Sequence, residues 1–211
     1  ETSSIYDLAS VTKTSATTMM LMQLHEQGLL DLTKTVADYL PDTKGSNIAG
    51  LKLQDILTHQ SGLPAWVPFY KKTLLADGTQ DPGYYSQTKI AGYTTQVADN
   101  VYMRDDYRDT VWQIIKDINL KEKNKYVYSD LGLYISRRIA EQLTGKRLDN
   151  YVYDNFYNSL GMTTTCFNPL NLFPRTQIVP TENDTYFRYQ TVHGYVHDMG
   201  AAMFGGVSGH A

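Results

Sequence analysis

One stretch of the chain fits a helix and little else. Leu131, Tyr134, Ile135, Ile139 and Leu143 recur at three- and four-residue steps between about Asp130 and Leu143, and Gly145 follows. Apolar residues so spaced line one face of a helix, and a glycine just past the last turn readily takes the left-handed conformation that ends one. The same reasoning predicts a helix starting near Ser10, with Met19, Met20, Leu21 and Leu24 as its apolar face and Gly28 as its stop. It predicts others over Leu51 to Thr58 (Leu53, Ile56 and Leu57 inward), over Thr110 to Ile118, and from about Leu148 to Asn158. Leu29 to Leu40 reads as an extended or turning link, and the chain reads as irregular after Gly161. Strand candidates are few and short, so the expected fold is mainly α.

Pro64 to Asp109 breaks the pattern. It holds Pro68, Gly78, Pro82, Gly83 and Gly92 together with Tyr84, Tyr85, Tyr93, Tyr102 and Tyr107. A structureless loop of that length is uncommon in a folded domain, so a partly ordered, tyrosine-rich excursion at about 64–109 is expected within one domain spanning 1–211. The 211 residues suffice to bury a core, and 42% hydrophobic with 19% charged residues is ordinary for a globular protein. A net charge of −3 argues against nucleic acid as a partner. No apolar run approaches the roughly 20 residues that cross a bilayer. Cys166 is the single cysteine, which excludes an internal disulfide and a cysteine-based zinc site.

Chemistry is suggested first by Ser10-Val11-Thr12-Lys13. Three residues on a helix turn through about 300° and rise about 4.5 Å, which puts Ser10 and Lys13 on one face. A serine hydroxyl becomes a nucleophile when a neighbouring base takes its proton. A lysine does so only when neutral, a form that burial and a helix N-terminus favour. An N-capping serine followed by a surface lysine would read the same way. Tyr128-Ser129-Asp130, directly before the strongest helix, adds a tyrosine able to share proton traffic; Asp130 or Ser129 there also reads as an N-cap.

With Asp7-Leu8-Ala9-Ser10-Val11-Thr12-Lys13 and Tyr128-Ser129-Asp130 in this order, the sequence resembles the serine β-lactamase and penicillin-binding protein superfamily, closest to its class C β-lactamase, D-amino-acid peptidase and esterase branch. Leu57-Thr58-His59-Gln60-Ser61-Gly62-Leu63-Pro64 and Leu160-Gly161-Met162 with Thr165 resemble two of its loops. Pro180-Thr181-Glu182, Val196-His197-Asp198 and Gly205-Gly206-Val207-Ser208-Gly209-His210-Ala211 resemble an envelope subgroup. The landmarks are weak singly but run in order along the whole chain.

The resemblance implies Ser10 as the acylated nucleophile, Lys13 as its proton acceptor, Tyr128 as a partner in proton transfer and Asp130 as a substrate-binding residue. The family usually has asparagine at that last position; an ionised aspartate accepts hydrogen bonds but donates none. The family also closes its site with a strand bearing Lys-Thr-Gly or His-x-Gly, which this sequence lacks. The expectation is therefore the helical lobe of the α+β β-lactamase/transpeptidase-like fold, cut from the middle, with most of the central sheet missing. Loss of one oxyanion donor costs about 10² to 10³ in rate, so such a fragment is expected to be inactive or nearly so.

The implied function is envelope hydrolysis of an amide or ester (a D-amino-acid peptide, a β-lactam or an ester), placed in the periplasm or at the cell surface. The partner is a small-molecule or peptide substrate, and no cofactor is implied. Two rivals differ in class. His193 and His197, four apart with Asp198 and His210 nearby, suit a metal only on a helix, which Gly194 disfavours, so structural histidines are expected and no metal. The aromatics from Tyr84 to Trp112 suggest a non-catalytic envelope peptide- or glycan-binding module on the same fold.

Overall fold

A computed structural model of the protein describes residues 4–204. The chain enters through a parallel bridge between Ile5 and Ile178 and turns sharply before Ser10, with Ala9 at a positive φ of 46°. The first helix then begins. A π-helical stretch, Lys13–Thr18, leads into α1 (Met19–Glu26). Wider turns of this kind cluster at functional sites, and here the Tyr157 hydroxyl donates to the Ser15 carbonyl within it at 3.0 Å. Met20, Leu21 and Leu24 are buried as expected, and Gly28, at φ 71°, ends the helix.

The expected link over Leu29 to Leu40 holds a short helix instead, α2 (Val36–Tyr39). Thr35 and Asp38 cap it reciprocally; four residues are too few for apolar periodicity to reveal. Helices α3 (Leu53–Leu57) and α4 (Tyr107–Lys116) lie near their expected positions. Helix α5 (Leu131–Thr144) is the hub. It packs against α1, α2, α3 and α6 (Leu148–Val152), the last continuing as a π-helical turn over Tyr153–Tyr157. A Cβ on Gly132 would stand 2.9 Å from Ile56 Cγ2, so glycine sets how closely α5 crosses α3. Gly145 closes α5 at φ 66°.

The excursion at 64–109 carries a three-stranded antiparallel sheet, ordered β1 (Tyr85–Ser86), β3 (Val101–Met103), β2 (Thr95–Ala98). Its tyrosines are largely used for packing. Tyr85 and Tyr107 are buried, Tyr107 donates to the Phe69 carbonyl at 2.8 Å, and Tyr84 meets the Tyr107 ring edge-on at 5.2 Å.

The region after Gly161 departs most from expectation. It contains a hairpin of β4 (Pro180–Asp184) and β5 (Gln190–His193), then α7 (Met199–Phe204). The hairpin's strands are polar and lack the alternation that marks a half-buried strand. Its anchor is Arg188, whose side chain is fully buried against the equally buried Asp184. The glycine-rich landmark Gly205 to Ala211, with Ser208 and His210, lies outside the described residues.

The loop from His59 to Ala65 is laced to the segment before α5. Lys121 N–H donates to Gly62 O at 2.7 Å, Asn124 N–H to Gln60 O at 2.9 Å, Val127 N–H to His59 O at 2.8 Å and Asp130 N–H to Ala65 O at 3.1 Å. Gly62 sits at φ 84°, and a Cβ there would lie 2.6 Å from the Lys121 carbonyl oxygen. Gly62→Ala is expected to cost about 2 kcal/mol or more from backbone strain and overpacking, read as a lower midpoint of thermal unfolding. Gly50→Ala, where a Cβ meets nothing within 4 Å, is the control that should leave the midpoint in place.

Candidate active site

Helix geometry brings Ser10 and Lys13 together as their spacing predicts: Lys13 Nζ lies 2.9 Å from Ser10 Oγ. The same Nζ lies 2.7 Å from Asp130 Oδ1 and stands 5.2 Å from the centre of the Tyr128 ring. Lys13 is nearly buried, with 8% of its side chain exposed, whereas Ser10 is exposed. Ser10, Lys13 and Tyr128 line one cleft of about 320 Å³, which continues along the apolar side chains Leu21, Leu57 and Leu133. All four predicted residues therefore meet, although Ser10 and Tyr128 are 118 positions apart in sequence (128 − 10).

Asp130 does not cap α5 through its side chain. Its carboxylate faces Lys13 instead. Ser129 is buried and donates its hydroxyl to the Pro64 carbonyl at 2.7 Å.

Asp7 and His59 join the site from two of the motifs, whose spacing alone assigns them no role. Asp7 Oδ1 accepts the Ala9 N–H at 2.9 Å, just ahead of Ser10. Asp7 Oδ2 accepts the His197 backbone N–H at 3.0 Å and lies 3.2 Å from His197 Nδ1. The hydrogen bond to Asp7 raises the His197 pKa above its ordinary 6.5 against the effect of burial. His59, in the loop before Pro64, also lines the cleft, and its ring lies 4.7 Å from that of Tyr128. Burial and the charge of Lys13 hold the His59 pKa below 6.5, with Asp130 opposing. Their signals in the sequence were the motif Asp7 to Lys13 and the loop Leu57 to Pro64.

The other histidines are engaged separately. His193 Nε2 lies 2.6 Å from the Ile178 carbonyl, in β5 rather than on a helix shared with His197. Among the described residues no group of three or more His, Cys, Asp or Glu side chains stands where it could hold a metal ion. A second cavity of about 320 Å³ is bordered by Asp7, Arg108, Arg147 and Tyr195 but reaches none of Ser10, Lys13, Tyr128 or Asp130. No helix among the described residues is long and apolar enough to cross a membrane.

Similarity to known proteins extends along the chain. A family model described as Beta-lactamase matches residues 1–206. A putative D-alanyl-D-alanine carboxypeptidase of Escherichia coli (strain K12) is 34% identical over 230 residues, covering 100% of this chain and 47% of that protein. An N-acetylmuramyl-L-alanine amidase of Bacillus subtilis (strain 168) is 33% identical over 231 residues, with coverage of 100% and 47%. Among solved structures, the octameric penicillin-binding protein homologue from Pyrococcus abyssi superposes with a TM-score of 0.63 at 18% identity, covering 92% of this chain and 40% of that one. The chain thus spans about half the length of the curated relatives it matches.

Proposed function

The chain belongs to the beta-lactamase family, a family of serine hydrolases, and on that premise we propose that it carries the acylation centre of an envelope enzyme that cleaves an amide or ester through Ser10. The observation that carries this reading is the 2.9 Å contact between Lys13 Nζ and Ser10 Oγ at the mouth of a cleft shared with Tyr128. In the proposed reaction Ser10 Oγ attacks the substrate carbonyl carbon while its proton passes to Lys13 as the free amine. Tyr128 relays a proton to the departing amine or alcohol, leaving an acyl-serine. Water then attacks the carbonyl carbon of that ester and gives a proton to Lys13; the bond from that carbon to Ser10 Oγ breaks, the acid departs, and the proton on Lys13 restores the Ser10 hydroxyl. Asp130 holds Lys13 in place and faces the substrate.

The names of the relatives favour a peptidoglycan-derived D-amino-acid peptide over a β-lactam or simple ester, and with it a periplasmic or cell-surface location. Packing of the tyrosines around 84–107 against one another supports hydrolysis over a glycan-stacking surface. Tetrahedral intermediates are stabilised by hydrogen-bond donors aimed at the oxyanion, and the family resemblance implies a second one on a strand. Among the described residues no strand lines the cleft beside Ser10, so the second donor is proposed to lie outside them.

Intact mass after exposure to a fluorophosphonate serine probe tests the reading. The full-length protein is expected to gain one adduct, mapped by peptide fragmentation to Ser10. An unlabelled protein, or an adduct on another serine, overturns it.

A further inference from the structure

His59 has no part in the proton transfers described above, yet it grips Tyr128 from both sides. Its carbonyl accepts the Val127 N–H at 2.8 Å, and its Nδ1 accepts the Ser129 N–H at 3.1 Å. Between those two bonds lies Tyr128, whose ring packs on the imidazole with a tilt of 45°. Tyr126 closes the other side, edge-on at 5.9 Å. One residue reaches both N–H groups because His59 adopts a left-handed backbone, φ 58°. Such a conformation in a residue other than glycine persists only where the surroundings enforce it, and it concentrates at functional sites.

We infer that His59 is a positioning residue for Tyr128: its neutral ring, accepting through Nδ1, fixes the backbone on either side of the tyrosine and so sets where the phenol stands relative to Ser10 and Lys13. This rests on the acylation reading given above. Ser129 is buried, so its N–H cannot turn to water when the acceptor is lost, and an orphaned buried donor is costly. Accepting at Nδ1 also dictates the tautomer, because a neutral imidazole then carries its proton on Nε2.

The direction of pH dependence follows. Lys13 and Asp130 are the charged groups that act on the ring, with Tyr126 and Tyr128 packed against it. Burial and Lys13 together outweigh Asp130 and lower its pKa. The acceptor is therefore intact at and above the ordinary histidine value. As pH falls through the lowered value, both ring nitrogens become donors and the Ser129 N–H loses its partner.

The test measures the rate of Ser10 labelling by a fluorophosphonate in the full-length protein, from about pH 5 to about pH 9. His59→Ala is expected to slow labelling by about ten- to a hundredfold at neutral pH. His59→Asn is the rescue. Its Oδ1 falls where Nδ1 stands, asparagine tolerates the left-handed backbone, and an amide does not titrate. It should recover most of the rate and lose the acid-side decline that His59 causes in the wild type. If His59→Ala fails to fold, His59→Asn and the imidazole ¹⁵N shifts of the wild type carry the test; those shifts should show Nδ1 bare and Nε2 protonated at neutral pH. Wild-type labelling in His59→Ala, an unchanged acid limb in His59→Asn, or the opposite tautomer overturns the inference. A wild type that takes no label at any pH instead overturns the acylation reading, and this inference with it.

Discussion

Lys13→Met is expected to silence Ser10 almost as completely as Ser10→Ala does. A positioned general base contributes about 10² to 10⁴ in rate. Residues that act as one unit are not additive, so the double variant should be no slower than either single one. Methionine keeps the length and the apolar stem that fill this nearly buried position. It removes the amine that stands 2.9 Å from Ser10 Oγ. It also strands Asp130, whose side chain is 19% exposed, so some stability is lost as well. Lys13→Met combined with Asp130→Asn separates the two effects. Removing the stranded charge should recover much of the melting temperature while labelling of Ser10 stays absent. Labelling restored by the second substitution would mean that Lys13 serves to neutralise Asp130, and the assignment of Lys13 as the base would fall.

How much of this was legible depends on whether the determining contacts are local. Ser10 and Lys13 are linked by one turn of helix, so their spacing alone predicts the contact that is observed. The spacing of Leu131, Ile135 and Ile139 likewise reports the face that α5 buries. Tyr128 and Asp130 join the site through the lacing of 59–65 to 121–130; resemblance supplied that pairing, and periodicity did not. His59 escaped because its role comes from a positive φ and from acceptors aimed at residues about 70 positions away. The hairpin of β4 and β5 escaped for a different reason. Its stability comes from an arginine inside the protein, where composition rules place almost none, and its strands Pro180–Asp184 and Gln190–His193 show no apolar alternation. The π-helical stretch Lys13–Thr18 has no apolar signature that separates it from an α-helix.

That buried arginine carries the largest expected loss of stability. Arg188 donates from Nε to Asp184 Oδ2 at 2.7 Å, from Nη1 to Val196 O at 2.6 Å, and from Nη2 to Glu182 Oε1 at 2.8 Å and His197 O at 2.6 Å. Burial pushes the Asp184 carboxyl up, but Arg188 and the N–H groups of Tyr186 and Phe187 outweigh it and hold its pKa below 3.8. A depressed carboxyl stabilises the fold above its unfolded pKa, and that contribution is lost as pH falls through the folded value. Arg188→Met leaves Asp184 buried without its cation, which should cost about 3–5 kcal/mol at neutral pH and lower the melting temperature by on the order of 10 °C. Asp184 in the variant gains most by taking up a proton, so the deficit relative to wild type should shrink as pH falls. Adding Asp184→Asn should recover part of the loss at neutral pH, since the amide oxygen still accepts the N–H groups of Tyr186 and Phe187 without a charge to bury. The consequence reaches the candidate site through bonds already described. Arg188 holds the carbonyls of Val196 and His197, His197 holds Asp7 Oδ2, and Asp7 Oδ1 holds the Ala9 N–H beside Ser10. Labelling of Ser10 in Arg188→Met, measured well below its melting point, should therefore be slower per folded molecule; a melting temperature and a labelling rate both like those of the wild type would show that this buried cluster supports neither the fold nor the turn.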